Sequence, residues 1–208
     1  MIKAYIFDQD GTLYPKDSKL YHQITNMTKI WLKNSLFLND EELSILYDNL
    51  KKTYPHPFKG FESLGFSCCD YHKEVFNRIN VKDFISRDKE LSVMLELISQ
   101  PKFIVTLSSP KFSCEVLNQL SVRHLFEDIL FVSDSKDPYD KIILYEKIRK
   151  NLNLLPHEIC IIGDNYDIDL SIAIRENYKC ILVSKEERED VINISNIYEL
   201  SQVNLQLV

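Results

Sequence analysis

The sequence predicts a three-layer α/β fold, a parallel sheet flanked by helices, with an additional helical segment inserted after the first strand. Three observations carry this reading. Short apolar runs of strand length recur at residues 4–8, 102–109, 128–134, 158–164 and 179–184. From residue 102 onward they alternate with segments whose apolar residues fall at three- and four-residue spacing, the pattern of helices packed on a parallel sheet. Between the first run and residue 102 the strands stop while helical patterns continue.

The elements follow in chain order. "AYIFD" is the first strand, closed by Asp8. "LYHQITNMTKIWLKNSLF", "DEELSILYDNLKKTY" and "CDYHKEVFNRI" read as helices, and "TYPHPFKGFESLGF", with two prolines and two glycines, as the link between them. A structureless loop of that length would be unusual in a compact domain, so residues 16–90 are expected to form a helical cap, and residues 1–15 with 91–208 the α/β core. Beyond it, "PKFSCEVLNQLSVRHLF", "DKIILYEKIRKNLNL" and the shorter "DLSIAIRENY" are the helices between strands. Residues 191–208 read as a closing strand or helix. Several strands end on polar residues (Asp8, Thr106 to Ser108, Asp164), where open parallel sheets place their ligands.

Bulk composition excludes several classes of function. A hydrophobic share of 45%, 27% charged residues and a net charge of -6 describe a globular chain without a basic footprint for nucleic acid. No apolar run approaches membrane-spanning length. An acid at position 8 comes too early for a secretory leader. The five cysteines are odd in number and form no Cys-x-x-Cys pair, which supports neither a disulfide framework nor a zinc site. Cys160 and Cys180, inside apolar segments, read as small buried hydrophobes, and a reducing cytoplasm is the expected location.

The unusual stretch is "YIFDQDGTLYPKDS", which ends an apolar strand on two acids separated by one glutamine. So close a pair is costly unless a cation or a shared proton offsets the repulsion. By residue type alone, Asp8-Gln9-Asp10-Gly11 also fits a strand-to-turn connection and Thr106 a helix cap. Lys141 also fits a solvated lysine, and Asp164, Asp167 and Asp169 first-turn acids.

Asp8-Gln9-Asp10-Gly11-Thr12 resembles the first signature, D-x-D-G-T, of the haloacid dehalogenase superfamily. Thr106-Leu107-Ser108 stands where the second signature stands. Lys141 in "YDKIILYEKI" resembles the lysine of the third, with Lys136 as the competing candidate, and "IIGDNYDIDLSIA" matches the fourth. The four occur in the family's order and span the whole α/β core. The resemblance implies a Rossmann-like parallel sheet with a helical cap, and a hydrolase that cleaves phosphomonoesters of small metabolites through an aspartyl-phosphate. It implies Asp8 as nucleophile, Asp10 as proton donor and acceptor, and Thr106 and Lys141 as catalytic partners of the phosphoryl group. Gly11, Thr12, Leu107 and Ser108 would bind substrate, and Mg²⁺ would be held by Asp8, the Asp10 carbonyl and Asp164. Asp169 would orient a metal-bound water or Lys141.

Leu107 departs from the asparagine common at that point of the family, with Ser108 or Ser109 as candidate substitutes. Asp10 separates phosphatases and phosphotransferases from dehalogenases, which lack that acid. "DGTLYPKDSKL" is also similar to the pyrimidine 5'-nucleotidase-like branch, which implies a nucleotide 5'-phosphatase. A phosphotransferase or phosphomutase on a sugar phosphate is the alternative reading, and a non-catalytic binding protein a further one. In the insert, Tyr14, Lys16, Lys19, Tyr54, His56 and Lys59 are candidates for substrate contact, and Asp17 for a cap or turn. No nucleic acid or membrane partner is expected, and the sequence does not distinguish monomer from homodimer.

Overall fold

A computed structural model describes residues 1–54, 56–134 and 140–203 of the chain. Six parallel strands form one sheet: β1 (Ala4–Phe7), β2 (Lys102–Thr106), β3 (Asp128–Phe131), β4 (Ile159–Gly163), β5 (Lys179–Val183) and β6 (Ile192–Ile194). Their spatial order is β3-β2-β1-β4-β5-β6. The chain runs outward from β1 to β3, then returns to the other side of β1 for β4. This reversal opens a crevice at the carboxyl ends of β1 and β4, the usual ligand position in such sheets.

Alternation along β1 divides the core in two. Tyr5 and Phe7 join an apolar cluster with Ile104, Ile162 and Ile181, while Ala4 and Ile6 join another with Val105, Ile161 and Leu182. The first face is covered by α5 (Lys89–Glu96) and α6 (Pro110–Gln119), through Leu91, Leu95, Phe112 and Val116. The second is covered by α7 (Ile142–Leu152) and α8 (Ser171–Arg175), through Leu144, Tyr145, Ile148 and Ala173. Burial on both faces explains why the strands read as continuous apolar runs. Cys160 and Cys180 are buried in β4 and β5 as free thiols.

The segment between β1 and β2 is helical: α1 (Lys19–Leu36), α2 (Asp40–Thr53), α3 (Pro57–Ser63) and α4 (Cys68–Glu74) precede α5. Ser18 caps α1, accepting from the Tyr21 amide at 3.2 Å, and exposed Asp17 lies in the turn before it. Asn39 and Glu42 form a reciprocal capping box on α2. The Trp31, Phe61 and Tyr71 rings of this segment belong to the same apolar cluster as Phe7, so the inserted helices share a core with one face of the sheet.

Two local features depart from the sequence reading. The Pro-rich link contains a helix, α3, which has Pro57 at its first turn and the His56 ring accepting from the Phe58 amide at 3.2 Å. The cap of α6 is Ser109, not Thr106. The closing segment, read as a strand or helix, holds both among the described residues: a short strand, β6, and a turn of 3-10 helix at Ile197–Gln202. Among the described residues no helix is long and apolar enough to cross a membrane.

After β4 the backbone makes a π-helical turn, Tyr166–Leu170, before α8 begins. The turn directs Asp169 inward, where it packs on Gly163: a Cβ at residue 163 would lie 2.5 Å from Asp169 Oδ2. Gly163→Ala is therefore expected to destabilise the protein by about 1–3 kcal/mol, the usual cost of overpacking, measured by urea denaturation.

Candidate active site

The carboxyl ends of β1 and β4 assemble a cluster of acids. Asp8 continues the strand pairing, its amide donating to the Ile162 carbonyl at 2.8 Å, and Asp164 follows β4 directly. The turn after Asp8 is closed by the Leu13 amide donating to the Gln9 carbonyl at 2.9 Å. It requires Gly11 twice over, because φ is +98° and a Cβ there would lie 2.6 Å from the Asp164 carboxylate. Thr12, inside the same turn, places its hydroxyl 3.1 Å from Asp8 Oδ2 and 3.2 Å from Asp164 Oδ1, and the two acids share that one donor.

Lys141, at the start of α7, is the buried counter-charge. Only 2% exposed, its ammonium lies 2.5 Å from Asp8 Oδ1 and 2.7 Å from Asp169 Oδ1. Burial works against its charge, but Asp169 and Asp8 outweigh that penalty and hold its pKa well above the ordinary lysine range. Burial pushes Asp8 up to about 7; Lys141 opposes the shift, while the neighbouring Asp164 and Asp10 add to it. Asp164 and Asp169 are also raised, again chiefly by burial. Lys16 adds a half-exposed ammonium 2.6 Å from Asp164 Oδ2. Among the described residues, two cations against Asp8, Asp10, Asp164 and Asp169 leave an excess of negative charge.

That donor set fits a hard divalent cation. Asp8, Asp164 and Asp169 each offer an oxygen, all within 4.8 Å of one another. Both oxygens of each acid have partners: Lys141 and Thr12 for Asp8, Thr12 and Lys16 for Asp164, and Lys141 with the Asn165 amide at 3.0 Å for Asp169. Any of the three side chains could turn an oxygen to a metal, and Asp169 also fixes Lys141.

Asp10 is held apart from this ionic group by a polar network. Its Oδ1 accepts from the Tyr14 hydroxyl at 2.5 Å and from Gln9 Nε2 at 2.9 Å, and its Oδ2 accepts a short hydrogen bond from the Ser108 hydroxyl. Gln9 is itself fixed from α6, where the Ser113 hydroxyl donates to its Oε1 at 2.6 Å. A carboxylate bound at both oxygens has a defined orientation, as a group that exchanges a proton with a substrate requires.

The structure therefore brings Asp8, Asp10, Lys141, Asp164 and Asp169 to one cavity, with Gly11 and Thr12 behind Asp164 and Leu107 on the wall. Thr106 is fully buried outside the cavity lining, its Oγ1 accepting from the Ser108 amide at 3.0 Å. The Leu107 carbonyl accepts from His72 Nε2 at 2.9 Å, joining α4 to the loop after β2. Ser108, beside Leu107, supplies a hydroxyl to Asp10, and Ser109 donates to Asn77 at 2.7 Å. Lys136 lies outside the described residues. Tyr14 and Lys16, two of the candidates for substrate contact, bind Asp10 and Asp164. Gln9 and Ser113 carried no sequence signal, because their role is a contact between residues 104 positions apart.

A family model described as haloacid dehalogenase-like hydrolase matches residues 2–175, and the chain belongs to that family. Solved structures share the fold at low identity. A HAD phosphatase from Thermococcus onnurineus is 18% identical, with TM-score 0.63 and 97% of each chain covered. The L-2-haloacid dehalogenase from Xanthobacter autotrophicus, with chloropropionic acid covalently bound, is 12% identical, with TM-score 0.61 over 97% of this chain and 98% of that one. The putative HAD-hydrolase YfnB from Bacillus subtilis, bound to magnesium, is 12% identical, with TM-score 0.65 and 97% of each chain covered.

Two stability measurements test the charge balance. Lys141→Met leaves buried carboxylates without their partner and is expected to cost about 3–5 kcal/mol in urea denaturation. Asp8→Asn acts in the opposite direction when metal is removed with EDTA. The unfolded chain's aspartate releases its proton near pH 4, at about its ordinary value. The native Asp8 holds its proton until about 7, so this group's contribution to stability declines as pH rises through that window. The variant is expected to be more stable than the parent at pH 8 and to lose that advantage toward pH 4.

Proposed function

We propose that this hydrolase is a Mg²⁺-dependent phosphomonoesterase of small phosphorylated metabolites, working through an aspartyl-phosphate on Asp8. The observation that carries the reading is the clamped Asp10 carboxylate beside Asp8. An alkoxide leaving group needs a proton and a halide does not, so an oriented acid at this point favours ester cleavage over dehalogenation.

In the first step the Asp8 carboxylate attacks phosphorus, the ester P–O bond breaks, and Asp10 gives its proton to the departing oxygen. Asp10 then accepts a proton from the water that attacks the aspartyl-phosphate, and inorganic phosphate leaves with Asp8 restored. Lys141 orients Asp8 and offsets negative charge on the phosphoryl group, and Asp169 holds Lys141 in place. Ser108, Tyr14 and Gln9 keep Asp10 oriented through both transfers. Asp8 and Asp164, with the Asp10 carbonyl, would hold Mg²⁺, which when bound supplies positive charge against the dianionic phosphate. Magnesium in the YfnB structure supports the choice of ion. The motif's likeness to the pyrimidine 5'-nucleotidase-like branch makes nucleoside monophosphates one substrate group to assay.

Asp8→Asn is expected to reduce phosphate release from a phosphomonoester panel in Mg²⁺ by about 10³-fold or more, and undiminished release would refute the nucleophile assignment. EDTA should abolish turnover and added Mg²⁺ restore it. Quantifying inorganic phosphate against transferred phosphoester tests for a phosphotransferase, which would retain the ester instead of releasing phosphate.

A further inference from the structure

The cavity over Asp8 is larger than a phosphoryl group needs, and its upper part has a distinct chemistry. It measures about 450 Å³, with Asp8, Asp10, Asp164 and Lys141 at its polar end. The opposite wall comes from α1 to α4, where Ile24, Tyr47, Leu50, Tyr54, Phe58 and Phe61 face the space. Lys51 is the single charged side chain this segment contributes among the described residues, and it is exposed. None of the segment's lining side chains is a carboxylate, carboxamide or guanidinium.

Two of the hydroxyls on that wall, those of Thr28 and Tyr71, serve each other. Thr28 donates to the Ile24 carbonyl at 2.8 Å and lies 3.0 Å from the Tyr71 hydroxyl. The rings are also braced: Phe61 stacks on Tyr71 with centroids 4.7 Å apart and meets the edge of Trp31 at 5.3 Å. Such a wall is preformed, and its Ile24, Leu50, Phe58 and Phe61 side chains offer a leaving group with many hydroxyls no hydrogen bond in exchange for the water it would lose. A flat apolar ring would lose unfavourable water contact and match the aromatic faces.

Building on the phosphatase reading above, we infer that the substrates are phosphomonoesters whose leaving group carries an aromatic ring, and that polyhydroxylated sugar and polyol phosphates are selected against. Tyr47 and Leu50 on α2 set the preference. Both are half-buried, on a helix with no fully buried side chain, and pack at the edge of the apolar cluster.

The test is steady-state hydrolysis by the full chain in Mg²⁺ of benzyl phosphate and 2-phenylethyl phosphate against glycerol 3-phosphate and glucose 6-phosphate. All four leave as primary alcohols, so the comparison reads the wall and not leaving-group acidity. Acetyl phosphate, too small to reach the wall, is the control. The aromatic esters are expected to show kcat/KM about tenfold or more above the others. Leu50→Gln and Tyr47→Ser should each narrow that ratio about threefold or more, and general damage to the enzyme leaves such a ratio unchanged. Acetyl phosphate turnover with no aromatic preference, or a preference untouched by both substitutions, would overturn this inference and leave the phosphatase reading standing. Failure to hydrolyse any of the five compounds would overturn both.

Discussion

One buried ammonium bridging two buried carboxylates organises the site. Lys141 reaches Asp8 after β1 and Asp169 after β4, and so ties together the two sides of the crevice where the sheet order reverses. Buried ion pairs of this kind rarely add stability over an apolar core. Their retention here makes sense as positioning, since the same bonds set the orientation of Asp8. The local backbone is shaped around them. The π-helical turn brings Asp169 inward, Gly163 leaves room for its side chain, and Gly11 leaves room for Asp164.

The excess of acids over cations in this group connects structure to chemistry. Burial and mutual repulsion raise Asp8, Asp164 and Asp169 above the ordinary carboxylate range, so the group stores affinity for a cation. Asp10 belongs to a different electrostatic setting, since Tyr14, Gln9 and Ser108 bind it in place of Lys141. Two carboxylates two residues apart thereby acquire separate environments, which a nucleophile and a proton carrier need. The inserted helices add a third, apolar environment directly above, continuous with the core through Phe61, Tyr71 and Phe76.

Much of this was legible in the chain itself. The apolar runs marked all the parallel strands except β6, because burial on both faces leaves no polar alternation to obscure them. Asp8, Asp10, Lys141, Asp164 and Asp169 were legible through their resemblance to the family's four ordered signatures, since by residue type alone each also fits a turn, a helix end or a solvated side chain. Helix α3 was hidden by its prolines and glycines, which signal turns even where Pro57 occupies a permitted first-turn position. The π-helical turn was hidden as well, since its residues read as the start of an ordinary amphipathic helix.

The sequence by itself determined the strand ends, the acids on them and the glycines that let them approach, since these depend on local periodicity and residue type. Tertiary structure decided the pairings. The Gln9–Ser113 and Asp10–Ser108 contacts join residues 104 and 98 positions apart, and such distances carry no local pattern. It also decided which hydroxyls on the cavity wall are consumed by one another, because hydrogen-bond satisfaction is a property of neighbours in space. The cluster of acids could thus be read along the chain, and the character of the space above it only once the chain had folded.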